Sequence, residues 1–116
     1  MTDFILSKEF LFSYFQKFSD QDIDGLAEIF DDSIILKDWD ISCNGKIASL
    51  QAIKGIYNAV SKISVEPLNI LIDARTNSAA CFLNIWVDSS PQPLKVVDFI
   101  CVNNNGAITE ISAYKQ

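Results

Sequence analysis

Asp98 is the most conspicuous residue for chemistry in this sequence. It falls in the middle of an apolar run, Leu94 to Val102, whose composition reads as a strand. Val96 and Ile100 are its neighbours on the same face by two-residue periodicity. Removing a carboxylate from water in such a setting is costly, so the neutral acid is favoured and the pKa rises. A protonated acid aimed into a pocket can donate a hydrogen bond. The plainer reading is a strand residue near an opening, bonded to a neighbour. Tyr14, one turn after Phe10 in a helical apolar row, reads on its own as a core aromatic with its hydroxyl at the rim. Asp38 follows Ile34, Ile35 and Leu36 near the end of the first strand, and taken alone it reads as a solvated strand end. Asp40 shares its parity and can take the same role.

The sequence contains no histidine, which removes Ser-His-Asp and Cys-His nucleophile systems and the commonest transition-metal ligand. Its four glycines are isolated and form no phosphate loop. Chemistry is left to carboxylates, tyrosine, lysine or cysteine, and no metal or cofactor is expected.

The elements that must position these groups follow from periodicity. Residues 3–19 carry Leu6, Phe10, Tyr14 and Phe18 at four-residue spacing, which predicts a helix. Asp20 or Asp22 can cap a second short helix reaching Phe30. Ser33 to Trp39 reads as the first strand, Ser42 to Lys46 as a turn or edge hairpin, and residues 49–61 as a third helix. Residues 67–74, 79–88, 94–103 and 107–114 are β-rich and separated by short turns, which predicts an antiparallel meander. Helices followed by strands give an α+β architecture in one domain over residues 1–116. Both faces of Leu94 to Val102 are largely apolar; helices can cover one, so a homodimer through the other is expected.

The chain has 116 residues, of which 49 % are hydrophobic and 21 % charged, within the range of a globular domain. A net charge of −6 with scattered lysines argues against nucleic acid and against an acidic membrane surface. There is no leader-like segment and no apolar run long enough to span a bilayer. Three cysteines, odd in number and without C-x-x-C spacing, favour free thiols and a cytoplasmic location.

The run from Tyr14 to Asp32, YFQKFSDQDIDGLAEIFDD, resembles the amino-terminal half of bacterial ketosteroid isomerases, with a helical tyrosine before a D-[LI]-D-G helix and an F-x-D-type turn. The spacing from Tyr14 to Asp38 fits that pattern without a gap. Gln51 to Tyr57, Ala79 to Phe82, Val97 to Phe99 and Asn105 to Ile111 resemble its later helix and strands. The resemblance covers nearly the whole chain and extends to nuclear transport factor 2-like and SnoaL-like domains. It implies a cone-shaped curved antiparallel sheet (cystatin-like) packed on two to three N-terminal helices around a pocket.

It further implies that Tyr14 and a protonated Asp98 donate hydrogen bonds to a ketone oxygen, with Asp38 as the base that shifts a double bond beside it. Tyr57 would support Tyr14 through its hydroxyl, while Asp40, Phe30 and Trp86, the last sharing a strand parity with Asn84, would line or support the pocket. The expected ligand is a small apolar carbonyl compound. Departures from the family pattern are Trp39 in place of proline, a longer loop from Asp38 to Gly45, a shorter hairpin near Ser89-Ser90-Pro91 and a shorter carboxyl-terminal tail. These argue against a bulky steroid. The alternative function is a non-catalytic ligand-binding or protein-association domain of the same fold. Dehydratases of this shape use histidine, absent here, and the lone Arg75 sits at a strand end, away from any Asp-Arg-Asp set.

Overall fold

A computed structural model describes residues 3–116. The elements follow in the order α1 (Lys8–Ser19), α2 (Ile23–Ile29), β1 (Phe30–Lys37), β2 (Ser42–Asn44), α3 (Lys46–Ala59), β3 (Ile63–Asp73), β4 (Ser78–Val87), β5 (Leu94–Val102) and β6 (Ile108–Lys115). The fold is α+β: three helices lie against a curved six-stranded sheet.

Local chemistry sets the helix boundaries. Ser7 caps α1 by accepting a hydrogen bond from the Phe10 amide, so the helix starts later than the apolar row suggested. Residues 3–7 form an extended strap instead. Asn77 holds the strap, donating to the Phe4 carbonyl at 2.8 Å and accepting from the Leu6 amide at 3.3 Å. Leu6 is still buried, although it is not helical. Phe4 lies over Gly106, where φ is +85° and a Cβ would meet the ring at 2.9 Å; glycine meets both demands. Asp22, one of the two expected caps, accepts from the Gly25 amide and starts α2. β1 begins at Phe30, earlier than expected, directly from the end of α2.

The sheet order is β2-β1-β6-β5-β4-β3. β3 to β6 form the expected antiparallel meander. One pairing differs from a wholly antiparallel sheet: β1 runs parallel to β6, from Phe30↔Ile108 to Lys37↔Ser112. A parallel pair needs a long crossover, and α3 with the whole meander supplies it. The register of β3 slips between Pro67 and Asn69, a bulge that bends an edge strand where proline's missing N–H is tolerated.

The core lies between the helices and one sheet face, with Leu11, Phe15 and Leu26 opposite Ile34, Cys81, Ile100 and Ile108. Ser19 fastens α1 to the sheet: its hydroxyl donates to the Phe15 carbonyl and accepts from the Val65 amide, both at 2.9 Å. The other sheet face stays open. Phe82, Trp86 and Phe99 are 38 %, 37 % and 36 % exposed there. Among the described residues no helix is long and apolar enough to cross a membrane.

Candidate active site

A cavity of about 270 Å³ lies between the helices and the covered sheet face. Phe15, Val65, Leu83, Ile85, Val96 and Ile111 give it apolar walls. Tyr14 and Asp98 border it from α1 and β5, and Asp38, Trp39 and Asp40 from the segment that follows β1.

Strand alternation turns Asp98 inward between Val96 and Ile100, both buried. It is 8 % exposed. Burial, with the charge of Asp38 as the second cause, pushes its pKa from 3.8 up to about 7. Among the described residues no hydrogen bond offsets that rise. Asp98 is therefore a carboxylic acid, able to donate, over most of the acid-to-neutral range. Tyr14 is buried as well, and its ring packs on Phe15 and Phe30 with centroids 5.1 Å and 6.4 Å away. Desolvation holds its pKa well above that of an ordinary phenol, followed by the charge of Asp98 and then Tyr57 and Cys81. A neutral phenol and a neutral acid thus stand within electrostatic reach of one another on one cavity.

Asp38 is held differently. Its Oδ1 accepts hydrogen bonds from the backbone amides of Asp40 at 2.7 Å and Ile41 at 2.6 Å, and its own amide donates to the Ile41 carbonyl at 2.9 Å. Such an Asx turn fixes the side chain by its own backbone. Oδ1 is thus occupied by two amides, and Asp38 borders the cavity. Asp40 reaches the same mouth but is exposed, and its amide serves to hold Asp38.

Several expected roles need correction. Tyr57 does not support Tyr14 by a hydroxyl hydrogen bond: its hydroxyl donates to the Phe18 carbonyl at 2.7 Å, tying α3 to the end of α1. Phe30 does not border the cavity; it is buried behind Tyr14 and braces the ring. Trp86, with Asn84, lies on the open sheet face, where both donate to Glu66, at 3.1 Å and 3.2 Å. Leu83, Ile85 and Val87, of the opposite parity, line the cavity instead. The strand is apolar on both faces, so parity alone does not say which one is covered. Cys81 was not singled out as a site residue, yet it is the direct cross-strand partner of Asp98 and fully buried. Its signal in the sequence was the register of the β4–β5 hairpin, which the loop at Ser89 to Pro93 obscures.

Arg75 lies in the β3–β4 turn, paired with Asp73 at 3.6 Å, away from the cavity. Among the described residues no three His, Cys, Asp or Glu side chains converge as a metal site.

No protein-family model and no curated protein sequence matches the chain. Solved structures do match, and they define its class as the nuclear transport factor 2-like fold. The chain is similar to a candidate polyketide cyclase from Sinorhizobium meliloti, with a TM-score of 0.79 and 21 % identity over 90 % of this chain and 93 % of that one. It is similar to an NTF2-like protein from Cytophaga hutchinsonii, at a TM-score of 0.77 and 9 % identity over 100 % and 95 % of the two chains. A candidate ketosteroid isomerase from Kribbella flavida gives a TM-score of 0.78 and 14 % identity over 93 % of this chain and 76 % of the other. At such identities the likeness is one of fold, and function has to be argued from the site.

Proposed function

We infer that the protein is an isomerase that shifts a carbon–carbon double bond beside a ketone by acid/base enolisation, with Asp38 as base and Tyr14 and Asp98 as donors. The observation that carries this reading is the pairing of unlike carboxyl groups on one apolar cavity. Asp98 is neutral by burial, whereas Asp38 is an acceptor held by two amides. Environments that separate two carboxyls in this way assign acid and base roles; ketosteroid isomerase is itself a standard illustration of that rule, so the parallel is one of analogy.

The step balances within the substrate. Asp38 Oδ2 takes a proton from the carbon between ketone and alkene, and the electrons move onto the ketone oxygen. Tyr14 and Asp98 donate hydrogen bonds to that dienolate oxygen. Asp38 then returns the same proton to the far alkene carbon, leaving a conjugated enone. Removing one donor from such a site typically lowers the rate about 10²–10³-fold. A cavity of about 270 Å³ suits a compact ketone better than a steroid, since ligand pockets commonly run from about 300 to 1,000 Å³.

Two copies pair through the open sheet face in this reading, covering Phe82, Trp86 and Phe99. Three free thiols suit the cytoplasm. The test is ultraviolet absorbance on mixing the protein with cyclohex-3-enone and with a β,γ-unsaturated ketosteroid, beside Asp38→Asn. Growth of the conjugated-enone band that is lost in the variant is the expected result. No growth with either ketone, and no binding of a phenolate as enolate mimic, would leave a binding domain of this fold.

A further inference from the structure

β1 and β6 part company at the mouth of the cavity. Their last paired residues are Lys37 and Ser112, after which β1 turns away while β6 runs on to Lys115. The departure opens a notch of about 430 Å³ between the Trp39 segment and the free edge of β6. Lys37, Asp38, Trp39 and Ala113 border both the notch and the cavity, and Ser112, Tyr114 and Lys115 complete the notch. Ser112 and Tyr114 point to the outer side of the sheet while Ala113 and Lys115 share the inward parity of Ile111, so the notch spans the strand edge between the two faces.

Two cations border it in a chain of net charge −6. The Lys115 ammonium is held over the Trp39 ring, 5.1 Å from its centroid. Lys37 sits at the end of the neighbouring strand. Lys46 and Arg75 have carboxylate partners within 4 Å, at Asp32 and Asp73. Among the described residues Lys37 and Lys115 have none. The acids nearest the notch are Asp38, Asp40 and Glu110; Asp38 has Oδ1 filled by two amides, Asp40 is exposed, and Glu110 accepts from the Ser112 hydroxyl at 2.9 Å. Among the described residues the notch therefore offers two ammonium groups with no carboxylate within 4 Å, beside a cavity with apolar walls.

We propose that the ligand is an anionic ketone, an oxo acid whose apolar body and carbonyl enter the cavity while its carboxylate rests in the notch between Lys37 and Lys115. The carbonyl end rests on the enolisation reading; the charged end rests on the notch alone. Cations at a cleft mouth also raise the local concentration of an anionic ligand, an effect that salt screens.

The experiment compares a cyclohex-3-enone bearing a carboxyethyl arm with its methyl ester, nearly equal in size and differing in charge. With wild-type protein the acid is expected to show about tenfold higher kcat/KM than the ester, and 0.5 M salt to narrow the difference. In Lys37→Gln/Lys115→Gln that preference should fall towards one. Equal use of acid and ester by the wild type, or a preference the double variant retains, would overturn the proposal. If neither compound is isomerised, the enolisation reading fails while the notch is still tested. Binding of the saturated keto acid and its ester is then followed by Trp39 fluorescence in a Trp86→Phe background. Tighter binding of the acid, lost in the double lysine variant, sustains the anion site, and equal binding overturns it.

Discussion

Cys81 and Asp98 are direct cross-strand partners on β4 and β5, and both side chains point into the covered face. The thiol is pushed up to about 12 by burial and then by the charge of Asp98. Asp98 therefore faces a neutral, weakly donating sulfur where a hydroxyl would have been a strong donor. This neighbour belongs to what keeps the acid protonated, because a good donor would stabilise the carboxylate.

Replacing that neighbour should move the acid. Cys81→Ser is expected to lower the Asp98 pKa below its value of about 7, while Cys81→Ala leaves it near the wild-type value. Carbon-detected NMR titration of the carboxyl reads the shift whether or not the protein turns a substrate over. An unchanged titration in the serine variant would show that Cys81 has no such effect.

The raised pKa of Asp98 also gives stability a sign with pH. The folded state holds this proton up to about pH 7 and the unfolded chain releases it near 3.8. The contribution is thus least unfavourable below pH 4, and stability declines as pH rises towards 7 before levelling off. The full span is on the order of 4 kcal/mol. Asp98→Asn removes the titration, so urea unfolding should find it gaining on the wild type between pH 4 and pH 7. A constant difference across that range would contradict the assignment. Under the proposed chemistry, wild-type kcat/KM falls as pH rises through about 7, and the asparagine variant lacks that limb because its amide donates at every pH.

Asp38 has two separable jobs, holding a turn and accepting a proton. Asp38→Asn keeps an oxygen for the amides of Asp40 and Ile41 but loses the base. It should lower turnover by about 10²–10⁴ with stability changed by less than about 1 kcal/mol. Asp38→Ala loses both, and its melting temperature should fall below that of the asparagine variant. Equal stability of the two variants would mean that the turn does not depend on the side chain.

The open sheet face bears on assembly. Phe82 and Phe99 lie on neighbouring strands there, and a lysine at position 82 would bury an unpaired charge in any interface through this face. Sedimentation should show wild-type dimers and Phe82→Lys monomers at micromolar concentration, with unchanged far-ultraviolet circular dichroism. A monomeric wild type would remove the dimer.

What the sequence determined by itself was the local and periodic part of the molecule. The helices, the four strands of the meander and the shared face of Val96, Asp98 and Ile100 follow from three- to four-residue and two-residue repeats, which short-range sterics and burial enforce. The tertiary structure decided which distant groups meet. The parallel pairing of β1 with β6, from Phe30↔Ile108 onwards, joins segments separated by most of the chain. Nothing local in Tyr57 directs its hydroxyl to Phe18 rather than to Tyr14, and nothing in the twofold pattern of β4 sends Trp86 outward, because both faces are apolar. Asp38, Asp98 and Tyr14 come to one cavity only after α1, β1 and β5 have packed. The notch beside them exists because β1 leaves the sheet before β6 ends, a geometric mismatch between two strands that neither strand's sequence contains.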